Sequence, residues 1–303
     1  MKKLIIAGGT GFLGGVLIKH LSTSFDEIVL LSRKRKPTDG KVRTVVWNAK
    51  TLDTWALELE DAIAIINMTG RSVDCRYTSK NKASILNSRI DATKVLGLAI
   101  AQCKQPPAVW LNSSTATIYR HSIDVPMNED DGVIGSGFSV EVAKAWETAF
   151  FNSATPKTRK VALRTSIVLG KNGGALHPIK RLTQLGLGGK QGSGNQKFSW
   201  IHEADFAQSI AFILNHPTLK GAINIVAPNP TTNIELMKLM RKYLNVPIGL
   251  AAGKRLLEMG AILIRTETEL ILKSRNVIPS RLLEAGYTFK YCTLEASLKD
   301  LLK

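Results

Sequence analysis

Apolar residues fall into short runs separated by amphipathic stretches, and this alternation persists over the first two thirds of the chain. The runs Leu4 to Gly8, Glu27 to Ser32, Val42 to Trp47, Ala62 to Met68, Ala108 to Ser113 and Lys160 to Thr165 each read as a buried strand. Helices are expected between them, the longest within Ser79 to Lys104. Another lies within Phe138 to Ser153, where Val142, Ala145, Trp146, Ala149 and Phe150 recur at helical spacing. Such alternation predicts an α/β fold, a Rossmann-type doubly wound parallel sheet with helices on both faces. After Ser166 the pattern changes to glycine-rich loops, notably Gly186 to Gly194, which reads as a mobile segment able to close over a ligand. A further strand is expected at Gly221 to Ala227, followed by a mainly helical tail from Thr232, in which Pro279 suits a helix start and Gly286 a helix end. The expected division is a dinucleotide-binding domain of residues 1–165 plus about 198–227, and a smaller, mainly helical substrate domain of residues 166–197 and 228–303.

Bulk properties narrow the class. No apolar run is long enough to span a bilayer, and the apolar start at Leu4 stops in glycines too soon for a signal peptide. Cys75, Cys103 and Cys292 are odd in number and lack metal-ligand spacing, which suits a reducing cytoplasm and no metal site. The formal net charge of +17 invites a nucleic-acid reading. Scattered cations and the absence of any nucleic-acid-binding motif favour a solvated basic surface around an anionic cofactor instead.

The densest chemistry lies in Gly8-Gly9-Thr10-Gly11-Phe12-Leu13-Gly14, directly after the first strand and opening a helix. Gly8 permits the tight turn, Gly11 lets the backbone approach a diphosphate, and Gly14 lets helix and sheet pack closely. The helix N-terminus offers unpaired N–H groups to the anion. Thr10, Phe12 and Leu13, interleaved with these glycines, are expected to share in the cofactor contacts. NAD sites place an acid at the end of the second strand, but here Ser32-Arg33-Lys34-Arg35-Lys36 stands in its place. Such cations attract the additional phosphate of NADP, with Ser32, Arg33 and Lys34 nearest, so NADP(H) is favoured over NAD(H).

Together with Ile66-Asn67-Met68-Thr69-Gly70, Asn112-Ser-Ser-Thr-Ala-Thr-Ile-Tyr119 and Phe198-Ser-Trp-Ile-His-Glu-Ala-Asp205, the glycine motif resembles an atypical or extended short-chain dehydrogenase/reductase. The segments Arg71 to Tyr77, Ser88-Arg89, Gly192 to His202, Ala227 to Pro230 and Leu282 to Phe289 resemble, more narrowly, its epimerase-family (SulA-like) branch, whose members end in a small module of unknown function. The resemblance implies that Asn67, Met68, Thr69 and Gly70 lie along the cofactor and that Thr115 stands where the family's catalytic hydroxyl does. It also implies that Arg164, His202 and Asp205 flank the cleft or domain junction, the last two with capping of the following helix as an alternative. The superfamily's Tyr-x-x-x-Lys pair is absent. Ser139 stands at the tyrosine position, Ala143 at the lysine position, and Lys144 is one residue out of register. Tyr119, Tyr77, Glu141, Arg76 and Arg89 are the candidate substitutes, Arg89 also a cofactor contact and Arg76, Tyr77, Glu141 and His202 substrate contacts. Two functions follow. One is an NADP-dependent oxidoreductase or epimerase-like enzyme acting on a small anionic substrate. The other is a catalytically silent NADP-sensing protein with a protein partner, related to cell division. A homodimer through the apolar Trp146 to Phe151 stretch is compatible with either, as is core packing of the same residues.

Overall fold

The computed structural model describes residues 1–35, 37, 40–253 and 272–303. Its centre is a seven-stranded parallel sheet made of β1 (Lys3–Ala7), β2 (Glu27–Ser32), β3 (Val42–Val46), β4 (Ala64–Asn67), β5 (Val109–Thr115), β6 (Arg159–Thr165) and Gly221–Ile225. The last of these pairs with β6 at one edge, and the order across the sheet is then β6, β5, β4, β1, β2, β3. Every strand expected from the apolar runs is present, with ends shifted by one or two residues. The order reverses between β1 and β4, which opens a crevice at the carboxyl ends of these strands.

Strand alternation explains why both faces are covered. Leu4, Ile6, Ile28, Leu30 and Ile66 face a core shared with helix α1 (Phe12–Leu21) and the helix Glu203–Asn215, through Leu17, Leu21, Phe206 and Ile210. Ile5, Ala7, Val29, Leu31 and Ile65 face the opposite core, built with α2 (Ser79–Gln102) and α3 (Phe138–Phe151) through Val95, Leu96, Ile100 and Phe150. Trp146 and Phe150 are buried within the chain's own helix packing, and Thr148 and Phe151 are the members of that stretch left exposed.

Beyond β6 a third core gathers Leu169, Trp200, Leu236, Met240, Leu294 and Leu298. Two small sheets sit with it: Ile167–Gly170 pairs with Trp200–His202 and Gly173–Gly174, and Thr231–Thr232 pairs with Lys197–Phe198. The tail contributes helices Asn233–Leu244, Ser280–Glu284 and Leu294–Leu302, and Gly286 takes a left-handed φ of 86° where the second of these ends. The expectation of helix between 254 and 271 lies outside the described residues. The Gly186 to Gly194 loop differs from the free lid expected of its composition. It is laddered to the neighbouring segment by Leu250 N–H to Gly186 O, Gly189 N–H to Leu250 O, Ala252 N–H to Lys190 O and Gly192 N–H to Ala252 O. Asn233 anchors it further by accepting the Gln191 N–H at 2.8 Å.

Candidate cofactor and substrate cleft

The three glycines of the first turn play three separate parts. Gly8 adopts φ 74°, and a Cβ there would fall 2.9 Å from the Thr69 backbone. A Cβ on Gly14 would fall 2.1 Å from the Gly9 carbonyl, so only glycine lets α1 lie this close to the turn. At Gly11 a Cβ meets nothing within 4 Å. The backbone there borders open space at the N-terminus of α1, where Gly11 provides no side-chain cap and the first turn holds no acid. This combination fits a diphosphate: a bare backbone, free helix N–H groups and room for the ligand. Thr10 is exposed and Leu13 half-buried beside it. Phe12 instead turns its ring against Gly170, Gly173 and Gly174, each too close to it to carry a Cβ without a shift. At the end of β2, Ser32 is buried and its hydroxyl accepts the Lys34 N–H, while the Arg33, Lys34 and Arg35 side chains are exposed.

Along the crevice, Asn67 is fully buried and donates to Asn112 Oδ1 at 2.7 Å and to Thr93 Oγ1, while its own carbonyl accepts from the Thr69 backbone and hydroxyl. This fixes the loop Asn67 to Gly70 above the sheet. The Met68 N–H donates to Ala7 O at 2.8 Å, and its sulfur accepts from Ser113 at 3.1 Å. Gly70 abuts the Arg89 guanidinium, which would lie 3.0 Å from a Cβ. Arg89 reaches there from α2, donates to the carbonyls of Arg71 and Ile85, and lies 5.0 Å over the Trp146 ring. Burial holds its pKa down to about 10, and among the described residues no carboxylate offsets this.

The expected catalytic hydroxyl, Thr115, ends β5. Its Oγ1 accepts the Thr117 N–H at 3.1 Å and bonds the Thr117 hydroxyl at 3.0 Å, so it also caps the short turn that follows. Tyr119 is placed differently from what a proton donor requires. It is 2% exposed, with its hydroxyl accepting from Arg164 Nη1 at 2.8 Å and donating to Asn224 Oδ1 at 3.0 Å. Burial pushes this phenol above its ordinary value. Arg164 in turn forms a paired contact with Glu147 at 2.9 and 2.8 Å, and Glu147 also accepts from Ser114. His202 is buried, accepts the Ala204 N–H at 2.9 Å as a helix cap, and stacks on Tyr291 at 3.8 Å. Its Nε2 lies 3.2 Å from Asp300. Asp205 accepts the N–H groups of Lys290 and Tyr291, both at 2.8 Å, pinning the tail to the first turn of the helix Glu203–Asn215. These contacts join His202 and Asp205 to helix and tail rather than to Thr115.

On the other wall, Tyr77 packs edge-on against Phe138 at 4.8 Å, and Lys82 lies 5.3 Å over the same Phe138 ring. Arg76 is exposed, its carbonyl accepting from Asn81 Nδ2. Glu141 points outward and pairs with Lys144 at 3.4 Å. Sequence reasoning did not find Lys273 or Arg275. Arg275 Nε donates to Thr117 Oγ1 at 3.3 Å and Lys273 Nζ to Thr117 O at 3.2 Å, bringing two cations to the strand end that carries Thr115.

A parallel sheet in this order, with open space beside Gly11 in its first glycine turn, defines a dinucleotide-binding protein of the Rossmann type. More narrowly, the chain belongs to the NAD dependent epimerase/dehydratase family, whose model matches residues 4–226, and a domain of unknown function (DUF1731) matches residues 256–301. It is 31% identical over 304 residues to the epimerase family protein SDR39U1 of Bos taurus, covering 99% of each chain. It is 30% identical over 304 residues to an epimerase family protein of Staphylococcus epidermidis, covering 100% of each. The human epimerase family protein SDR39U1, solved with NADPH, superposes with a TM-score of 0.88 at 30% identity, covering 99% of each chain. UDP-N-acetylglucosamine 4-epimerase from Bacillus cereus, at 17% identity and a TM-score of 0.74, shares the fold.

Proposed function

We propose that this protein binds NADP(H) in preference to NAD(H) and moves a hydride to or from a small anionic substrate held between the sheet and the tail. The observation that carries this reading is the open face of Gly11 together with the exposed cations Arg33 and Lys34 at the end of β2. The NADPH of the human relative supports it. The bound cofactor would supply or accept the hydride. Gly11 and the α1 N-terminus hold its diphosphate on the turn that Gly8 and Gly14 shape, Arg33 and Lys34 the extra phosphate, and Met68 to Gly70, fixed by the buried Asn67, line the remainder. Thr115 orients the reacting oxygen, its hydroxyl set by Thr117, which Arg275 polarises. Arg76 attracts the substrate's negative charge. Purified protein incubated with NADPH and a panel of small keto and hydroxy acids should change nicotinamide absorbance with at least one of them. NADPH bound with no turnover across the panel would overturn the enzymatic reading.

A second reading has its own motive in Ser139 and Ala143, which leave α3 without the usual phenol and ammonium. In it the protein is a cytoplasmic NADP sensor that passes the bound state to a protein partner or to a second copy of itself. NADPH-dependent association in a pull-down series supports it, and association indifferent to NADPH removes it.

A further inference from the structure

Two guanidiniums near the carboxyl ends of the strands are taken partly out of water, in different company. Arg164 presents the edge formed by Nε and Nη2 to Glu147, whose two carboxylate oxygens accept at 2.9 and 2.8 Å. This is the side-on fork that a planar guanidinium offers a carboxylate. Arg89 is held by its other nitrogen. Its Nη1 donates to Arg71 O at 3.0 Å and to Ile85 O at 2.9 Å, which uses both Nη1 hydrogens. Among the described residues nothing accepts from its Nε or Nη2, so the edge that Arg164 gives to Glu147 faces no carboxylate in Arg89.

The rest of the Arg89 side chain is fixed. Gly70 packs against the guanidinium, where a Cβ would fall 3.0 Å from Cζ, and the Trp146 ring lies 5.0 Å from Cζ. Trp146 is itself anchored by its Nε1 bond to Thr93 at 3.0 Å. Ser88, the preceding residue, accepts the Arg71 N–H at 2.9 Å, so Ser88 and Arg89 grip Arg71 by both of its backbone groups. The Arg71 side chain turns away to Ser84 and Asn81. A fork held in place by its surroundings loses little freedom when a ligand arrives. Burial lowers the Arg89 pKa only to about 10, so the charge is kept at neutral pH.

Position decides which anion this fork serves. The sheet order runs β1, β4, β5, and Gly11 with the α1 N-terminus stands at the end of β1. Arg89 comes from the middle of α2, packs on Trp146 of α3 and borders the loop after β4, one strand nearer to Thr115 on β5. We propose that the Nε and Nη2 edge of Arg89 seats a carboxylate of the substrate, making Arg89 the residue that selects an anionic substrate. The proposal deepens, and rests on, the reading of the cleft as a site of NADP(H)-dependent hydride transfer. Arg76, exposed in the loop before α2, draws the anion in, and Arg89 fixes it. Arg89 thereby serves the substrate, in place of the cofactor contact expected of it from the sequence.

The test is calorimetric titration of the whole protein, in excess NADPH, with oxamate and with malonate, two carboxylates that accept no hydride. Wild type should bind at least one of them saturably. Arg89→Gln should weaken that binding by roughly tenfold or more, the loss of a charged two-point contact, while NADPH affinity stays within a few-fold of wild type. Arg89→Lys, which keeps the charge and loses the fork, should fall between. Circular dichroism checks the fold of each variant, and Arg89→Lys against wild type carries the comparison if Arg89→Gln does not fold. Equal carboxylate affinity in wild type and the folded variants, or no binding of either probe at millimolar concentration, would overturn the proposal. A parallel loss of NADPH and NADH affinity in Arg89→Gln with carboxylate binding intact would assign the fork to the cofactor's own phosphates and overturn it as well. Arg89-dependent capture of a carboxylate by a protein that binds no NADPH would count against the cofactor reading alone. NADPH binding without such capture would count against Arg89 alone.

Discussion

Gly11 and Gly14 lie three residues apart in one turn, yet a methyl group added to each should have opposite effects. Gly11 has φ −89° and ψ −174°, a conformation open to alanine, and its Cβ would meet no atom within 4 Å. Gly11→Ala therefore gains about 0.4–1 kcal/mol by restricting the unfolded chain and loses a similar amount, about 0.5–1 kcal/mol, as a poorer helix cap. Net stability should stay within about 1 kcal/mol of wild type. The new methyl, however, fills the space assigned to the diphosphate. Losing one charged hydrogen bond from the backbone costs about 1.5–3 kcal/mol, roughly a 10- to 150-fold loss of NADPH affinity. Gly14→Ala would place its Cβ 2.1 Å from the Gly9 carbonyl, backbone against backbone, where no rotamer gives relief. Overpacking of this kind costs about 1–3 kcal/mol, and each kcal/mol lowers Tm by about 2–4 °C in a chain of this size class. Thermal melts and calorimetric NADPH titrations of both variants separate the two effects. Wild-type NADPH affinity in Gly11→Ala, or equal melting of the two variants, would refute the reasoning.

Other expectations follow from the same geometry. Arg33→Ala/Lys34→Ala should weaken NADPH by about tenfold or more while leaving NADH affinity unchanged, as competition titrations would reveal. Glu147→Ala should destabilise the fold by about 3–5 kcal/mol in denaturant melts, because it strands the buried Arg164 guanidinium, and adding Arg164→Met should recover part of that loss. Burial lowers the His202 pKa although Asp300 pulls it upward, so the unfolded chain takes up the proton first as pH falls. Its contribution to stability is complete above the ordinary histidine value of about 6.5 and declines as pH falls through the folded pKa. His202→Gln should flatten that part of the stability profile.

The parallel sheet was legible because strands buried on both faces leave near-continuous apolar runs, as Ile28-Val29-Leu30-Leu31 and Ala64-Ile65-Ile66 do. The cradle was legible because glycine is the residue that tolerates φ 74° at Gly8 and contact with Gly9 at Gly14. Residues whose partners are remote in sequence were not legible. Arg275 reaches Thr117 across 158 positions, and Tyr119 meets Asn224 across 105, so neither spacing nor periodicity carries a trace of these contacts. Glycine content alone made Gly186 to Gly194 read as mobile, since the pattern of single residues does not encode the bonds to Leu250 and Ala252 that tie it down. Tyr77 and Arg89 were visible as candidates, but their common relation to α3 needed the packing of Phe138 and Trp146.

Calorimetry of the wild-type protein with NADPH and with NADH tests the central claim most directly. The account predicts saturable binding of NADPH and binding of NADH weaker by about tenfold or more, the difference set by the charged contacts to the extra phosphate. No heat from either nucleotide, or tighter binding of NADH, would contradict it.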